Sequence, residues 1–113
     1  MKFNSLEDWF LRLKSYSEFE GVFVLVEGKN DVKILKRYGI NNLYPIQGKR
    51  FHDIIEELEF ANLCIILTDL DKQGEKIANK LEKLFKKEGI PVNLDFRKFL
   101  KNYPFKEIEK IKL

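Results

Sequence analysis

One cysteine and one histidine are all that the 113 residues hold of those types. A lone cysteine excludes an internal disulfide and a cysteine metal cluster. Cys64 lies inside the apolar run Cys64-Ile65-Ile66-Leu67 and reads as a buried structural thiol. His52 stands alone at the start of a helical pattern and reads as a surface residue rather than a catalyst. No apolar stretch approaches the roughly 20 residues of a membrane span, and Met1-Lys2-Phe3-Asn4 opens no secretion signal. The expectation is a cytoplasmic protein without a membrane partner. An excess of one charge is also missing, because 21 basic and 18 acidic residues leave a net charge of only +3. Such a surface permits nucleic-acid binding without demanding it. No repeat, low-complexity tract or linker is visible, and the length suits a single domain over 1–113, so more elaborate activity would draw on partners.

What the chain does have is alternation of two periods. Leu6, Trp9, Phe10 and Leu13 follow helical spacing behind Ser5 as N-cap, which predicts a leading helix over about 5–18. The run Val22 to Val26 predicts a strand, and Val32, Leu35 and Tyr38 a helix that stops at Gly39. Leu43 to Ile46 predicts the second strand, with Phe51, Ile54, Ile55 and Leu58 on the helix after it. Cys64 to Leu67 is the third strand, followed by the stripe Ile77, Leu81, Leu84 and Phe85 with Gly89 as its stop. Ile90 to Leu94 is the fourth. Phe96, Phe99, Leu100 and Tyr103 predict a helical extension over about 96–113, interrupted at Pro104 before a basic segment containing Ile108 and Ile111. Strands alternating with helices in one small chain predict a three-layer α/β domain with a parallel sheet.

Two of these strands run straight into carboxylates: Glu27 after the first, Asp69 and Asp71 after the third. If the two strands are neighbours, the acids converge at one sheet edge, where open α/β sheets bind ligands. Asp69 and Asp71 then point the same way unless the turn begins between them. Taken singly, each acid also fits a helix cap, Asp71 before Lys72-Gln73-Gly74-Glu75 above all. Taken together, with Gly28 and Gly74 allowing close backbone approach, they read as a site for Mg2+, or Mn2+, because hard oxygen donors without nitrogen or sulfur suit those ions. Lys29 and Lys72 beside them are candidates to meet phosphates.

Val26-Glu27-Gly28-Lys29-Asn30-Asp31, followed by Thr68-Asp69-Leu70-Asp71-Lys72-Gln73-Gly74, resembles the Toprim domain over about residues 20–95. That module is shared by type IA and type II topoisomerases, bacterial primases, OLD-family nucleases and the ribonucleases that mature 5S ribosomal RNA. The chain also resembles small stand-alone archaeal and bacterial Toprim proteins. The resemblance implies a four-stranded parallel sheet in the order 2-1-3-4, Rossmann-like, with the first and third strands adjacent. It implies Glu27 as general acid/base and metal ligand, Asp69 and Asp71 as magnesium ligands, Gly28 and Gly74 as turn-shaping positions, and Asp31 as a supporting acid. The nucleophilic tyrosine domain of topoisomerases and the zinc module of primases do not fit in this chain. The Asp-x-Asp of haloacid-dehalogenase phosphatases would want a threonine where Gln73 stands, on the first strand rather than the third. Two functions are expected: a Mg2+-dependent nuclease acting on RNA or DNA, with a protein partner supplying specificity, or a non-catalytic nucleic-acid-binding module. Arg97 is expected to contact nucleic acid, with Tyr16, Arg50, Phe51 and Lys98 feeding the same surface.

Overall fold

Every second residue of an extended segment faces the same side, so a strand apolar at every position must be covered on both faces. Val22–Val26 (β1) and Leu63–Ile66 (β3) are such segments, and they form the centre of the sheet. The computed structural model describes residues 1–112. The chain runs through helix α1 (Leu6–Ser17), β1, α2 (Lys29–Arg37), β2 (Leu43–Pro45), α3 (Phe51–Glu57), β3, α4 (Lys72–Lys87), β4 (Val92–Asn93) and α5 (Asp95–Leu100). All four strands are parallel, in the order β2-β1-β3-β4. This is the α/β architecture and strand order of a Toprim fold.

The alternation divides the core in two. Val22, Val24, Val26, Ile65 and Leu67 face a layer built from Trp9, Phe10 and Leu13 of α1, Leu35 of α2, and Phe96 and Leu100 of α5. Leu25, Cys64 and Ile66 face Ile54 of α3 and Ala78, Leu81 and Phe85 of α4. Ser5 caps α1 by accepting from the Asp8 N–H at 3.0 Å. Gly39 and Gly89 follow α2 and α4 with φ of +82° and +73°, the left-handed conformation that ends a helix at little cost to glycine. The Trp9 indole N–H donates to the Phe96 carbonyl at 2.9 Å, tying α1 to α5. Among the described residues no helix is long and apolar enough to cross a membrane.

Two expectations need correction. The fourth strand is shorter than the apolar run, because Pro91 offers no N–H and the Asn93 side chain turns to accept from the Asp95 N–H at 2.9 Å, starting α5. Among the described residues the C-terminal extension is α-helical only at its start, over α5. After α5 it leaves helical geometry before Pro104 and runs back across the strand tips as a strap containing one 3-10 turn, Ile108–Lys110. Ile108 and Ile111 plug into the core layer beside α2, and burying those two side chains fixes the strap's path.

Candidate metal centre at the strand tips

Strand order decides where the acids meet. β1 continues through α2 to β2 on one side, while β3 continues through α4 to β4 on the other, so their tips border the switch-point crevice. In the register between them Leu25 pairs with Ile66, and the Leu67 N–H donates to the Leu25 carbonyl at 2.7 Å. Glu27 therefore emerges beside Thr68 and Asp69. Its Oε2 accepts from the Asp69 backbone N–H at 2.7 Å. Asp69 Oδ1 in turn accepts from the Ile108 N–H of the strap at 2.9 Å, and Asp31 Oδ2 accepts from the Gly28 N–H at 2.9 Å.

Glu27, Lys29, Asp31 and Asp69 line a cleft of about 450 Å³, together with Glu107 and Glu109 of the strap. Burial pushes the carboxyls of Glu27, Asp31 and Asp69 above their ordinary range, against the backbone hydrogen bonds that would lower them. Neighbouring charge adds to the shift: Asp69, Asp71 and Asp31 act on Glu27, and Glu109 acts on both Asp31 and Asp69. Negative charge is thus gathered where a cation would relieve it.

Asp71 is placed differently. The turn begins before it, and its Oδ1 accepts from the Gly74 N–H at 2.7 Å as N-cap of α4. It lines a second cleft, with Lys72, on the other side of the Asp69-Leu70-Asp71 ridge. The two glycines also differ. A Cβ on Gly74 would sit 1.9 Å from the Asp69 carbonyl oxygen, whereas one on Gly28 would meet only the flexible tip of Gln47 at 2.9 Å. Gly74 is what lets α4 start against the back of the Asp69 turn.

Arg97 is not on a nucleic-acid-contacting surface. Its side chain is buried, donating to the Thr68 carbonyl at 3.1 Å, to the Asp69 carbonyl at 2.6 Å and to the Glu75 carboxylate. It clamps the ridge from below. Thr68, which the sequence reading passed over, completes the clamp by donating its hydroxyl to the Gly74 carbonyl at 2.7 Å. Arg97→Met keeps an unbranched side chain of similar length and strands the buried Thr68 carbonyl and the half-buried Asp69 carbonyl, so a loss of roughly 3 kcal/mol in chemical denaturation is expected. A loss below about 1 kcal/mol would show that the clamp is idle.

Among the described residues no three histidine, cysteine or acidic side chains form a ready cage for an ion. A magnesium site does not require one, since that ion commonly takes one or two carboxylates and keeps several waters. The donors at this cleft are carboxylate oxygens. Burial pushes the Cys64 thiol up to about 12, and His52 pairs with Glu56 on the exposed side of α3. The donor set fits a hard divalent cation rather than a nitrogen- or sulfur-seeking one.

A UPF0292 protein from Methanosarcina acetivorans is 34% identical over 110 residues, spanning 94% of this chain and 74% of that protein. A solved protein from Aquifex aeolicus superposes with a TM-score of 0.88 at 38% identity, over 96% of this chain and 99% of that one. The crystal structure of the Aquifex aeolicus primase, comprising zinc-binding and RNA polymerase domains, matches with a TM-score of 0.51 at 26% identity, over 80% of this chain and 25% of that one. Residues 22–102 match the Toprim domain, leaving most of the strap outside the matched region. With the strand order, the Glu27 turn and the Asp69-Leu70-Asp71 ridge in place, the chain belongs to the Toprim domain family.

Proposed function

We propose that the chain is a magnesium-dependent enzyme, or catalytic subunit, that cleaves nucleic-acid phosphodiesters. The observation that carries this reading is the seating of the Glu27 carboxylate on the Asp69 amide inside an acid-lined cleft at the switch point. Glu27 and Asp69 would hold the ion, with Asp71 at the margin. A bound magnesium ion supplies Lewis-acid polarisation of the phosphate and neutralises developing charge. Glu27, its carboxyl raised above the ordinary range chiefly by burial, would hold and release a proton and so act as general acid/base on the attacking water or the leaving oxygen. Lys29, on the rim of the cleft, and Lys72, beside the ridge, would orient phosphate oxygens. The primase match supports nucleic acid as the substrate class. Incubation with labelled RNA and DNA, with Mg2+ or with chelator, tests the reading: cleavage should require the metal. Intact substrates under both Mg2+ and Mn2+ would overturn the enzymatic reading and leave a metal-dependent binding module.

The metal site is tested separately from chemistry. Magnesium at a hundred times its dissociation constant should stabilise the fold by about 2.7 kcal/mol, because it binds only the folded state. Asp69→Asn should abolish that shift while keeping an oxygen to accept from the Ile108 N–H. Its effect on the metal-free protein has a definite sign. A carboxyl raised on folding binds its proton more tightly in the folded state, so its contribution is most favourable when protonated and declines as pH rises through the raised value. Near neutral pH the metal-free Asp69→Asn protein should therefore melt at or above the wild-type temperature. A lower melting temperature would show that the Asp69 charge is balanced within the protein.

A further inference from the structure

The ridge Asp69-Leu70-Asp71 separates two clefts, and the second is chemically unlike the first. The strap is pinned along the ridge by the Leu70 N–H, which donates to the Lys106 carbonyl at 2.7 Å, and by the Ile108 N–H on Asp69. On the Asp71 side lies a cleft of about 340 Å³ lined by Lys72, Lys101, Lys106, Tyr103 and Phe105. The two aromatic rings lie nearly parallel, at 8° with centroids 5.7 Å apart. The Glu75 carboxylate in this cleft is engaged by buried Arg97 and by Lys101, leaving Lys72 and Lys106 set against Asp71. Cations beside an aromatic platform have one common complement: a phosphate backbone whose bases are unpaired and free to stack. A duplex keeps its base faces covered. A strand lying in this cleft would also have a phosphate to present across the ridge to Glu27 and Asp69.

We propose that the cleft formed by Lys72, Lys101, Tyr103, Phe105 and Lys106 is a binding groove for single-stranded nucleic acid, feeding the acid cleft beside it. The inference rests on the phosphodiesterase reading and adds to it the form of the substrate and the residues that hold it. Tyr103, Phe105 and Lys106 lie beyond the region matched to the Toprim domain, so the strap adds the aromatic wall of the groove to residues of that module.

Fluorescence anisotropy tests the groove without cleavage, using fluorescein-labelled oligouridylate and oligothymidylate of about twelve nucleotides in chelator, with a blunt duplex as competitor. The single strands should bind and the duplex should compete poorly. Replacing Lys72, Lys101 and Lys106 by glutamine should flatten the slope of log affinity against log salt by about 2, since each single-strand phosphate contact contributes about 0.7. The control replaces Lys33, Lys83 and Lys87, exposed lysines that line neither cleft, and removes the same net charge. Tyr103→Leu should weaken binding about tenfold and Tyr103→Phe should restore it, because stacking needs the ring and not the hydroxyl. Equal loss in the two triple variants, unchanged binding in Tyr103→Leu, or full competition by duplex would each overturn the groove while wild-type binding upheld the nucleic-acid reading. Absence of wild-type binding to all three nucleic acids in chelator would overturn the groove, and its absence with Mg2+ as well would overturn both readings.

Discussion

Glu27→Gln should lose about 10²- to 10⁴-fold in the rate of phosphodiester cleavage, the usual worth of a positioned proton-transfer group. The fold should be untouched, because glutamine keeps the length of the side chain and retains an oxygen that accepts from the Asp69 N–H where Glu27 now does. Removing a carboxyl that burial and neighbouring acids push upward also relieves repulsion in the metal-free cleft. Single-turnover rates at saturating oligonucleotide check this directly, and binding in chelator shows whether the groove remains occupied. A variant that cuts as fast as wild type would remove Glu27 from the chemistry. One that neither cuts nor binds would assign Glu27 to substrate affinity instead.

Gly74→Ala should be among the most damaging single-methyl changes in the chain. In an ordinary helix first turn, alanine for glycine stabilises by roughly 0.5–1 kcal/mol. Here the added Cβ would lie 1.9 Å from a backbone oxygen, at Asp69, and that oxygen is itself held by the Arg97 guanidinium. Neither side can give way without moving the ridge, so a loss of at least about 3 kcal/mol is expected, a large part of the stability of a small domain. Gly28→Ala, whose Cβ meets only the end of the Gln47 side chain, should cost far less. Urea denaturation of the two variants makes the comparison, and equal losses would refute the close-approach argument.

Much of this arrangement is written in local patterns. Val22–Val26 and the run at Cys64 are apolar at every position, which only burial on both faces explains, and that places them at the sheet centre with their carboxylates at neighbouring tips. What local pattern does not carry is where regular geometry stops. The alternation that would align Asp69 with Asp71 ends at Ile66, so Asp71 is free to cap α4. Arg97 reads as a surface cation in the sequence because its partners are mostly backbone carbonyls, which the sequence does not mark. A signal was present nonetheless, since Arg97 lies between Phe96 and Leu100 on the buried side of α5. Glu107 and Glu109 reach the acid cleft only because Ile108 and Ile111 seek the core, and two isolated apolar residues in a charged tail give no periodicity to read.

The strap has a consequence for how the molecule comes into being. Trp9 finds its hydrogen-bond partner 87 residues later in the chain, and the layer around it also takes in Ile108 and Ile111. Contacts of such long sequence separation carry a loop-closure cost that local helices and neighbouring strands do not. During synthesis the sheet can pair as soon as β4 has emerged, yet the apolar seat of the two isoleucines stays open and Asp69 lacks its Ile108 donor. The nascent chain thus passes through a stage with a sticky groove exposed beside α2, and the acid cleft acquires its last wall only as translation reaches the strap.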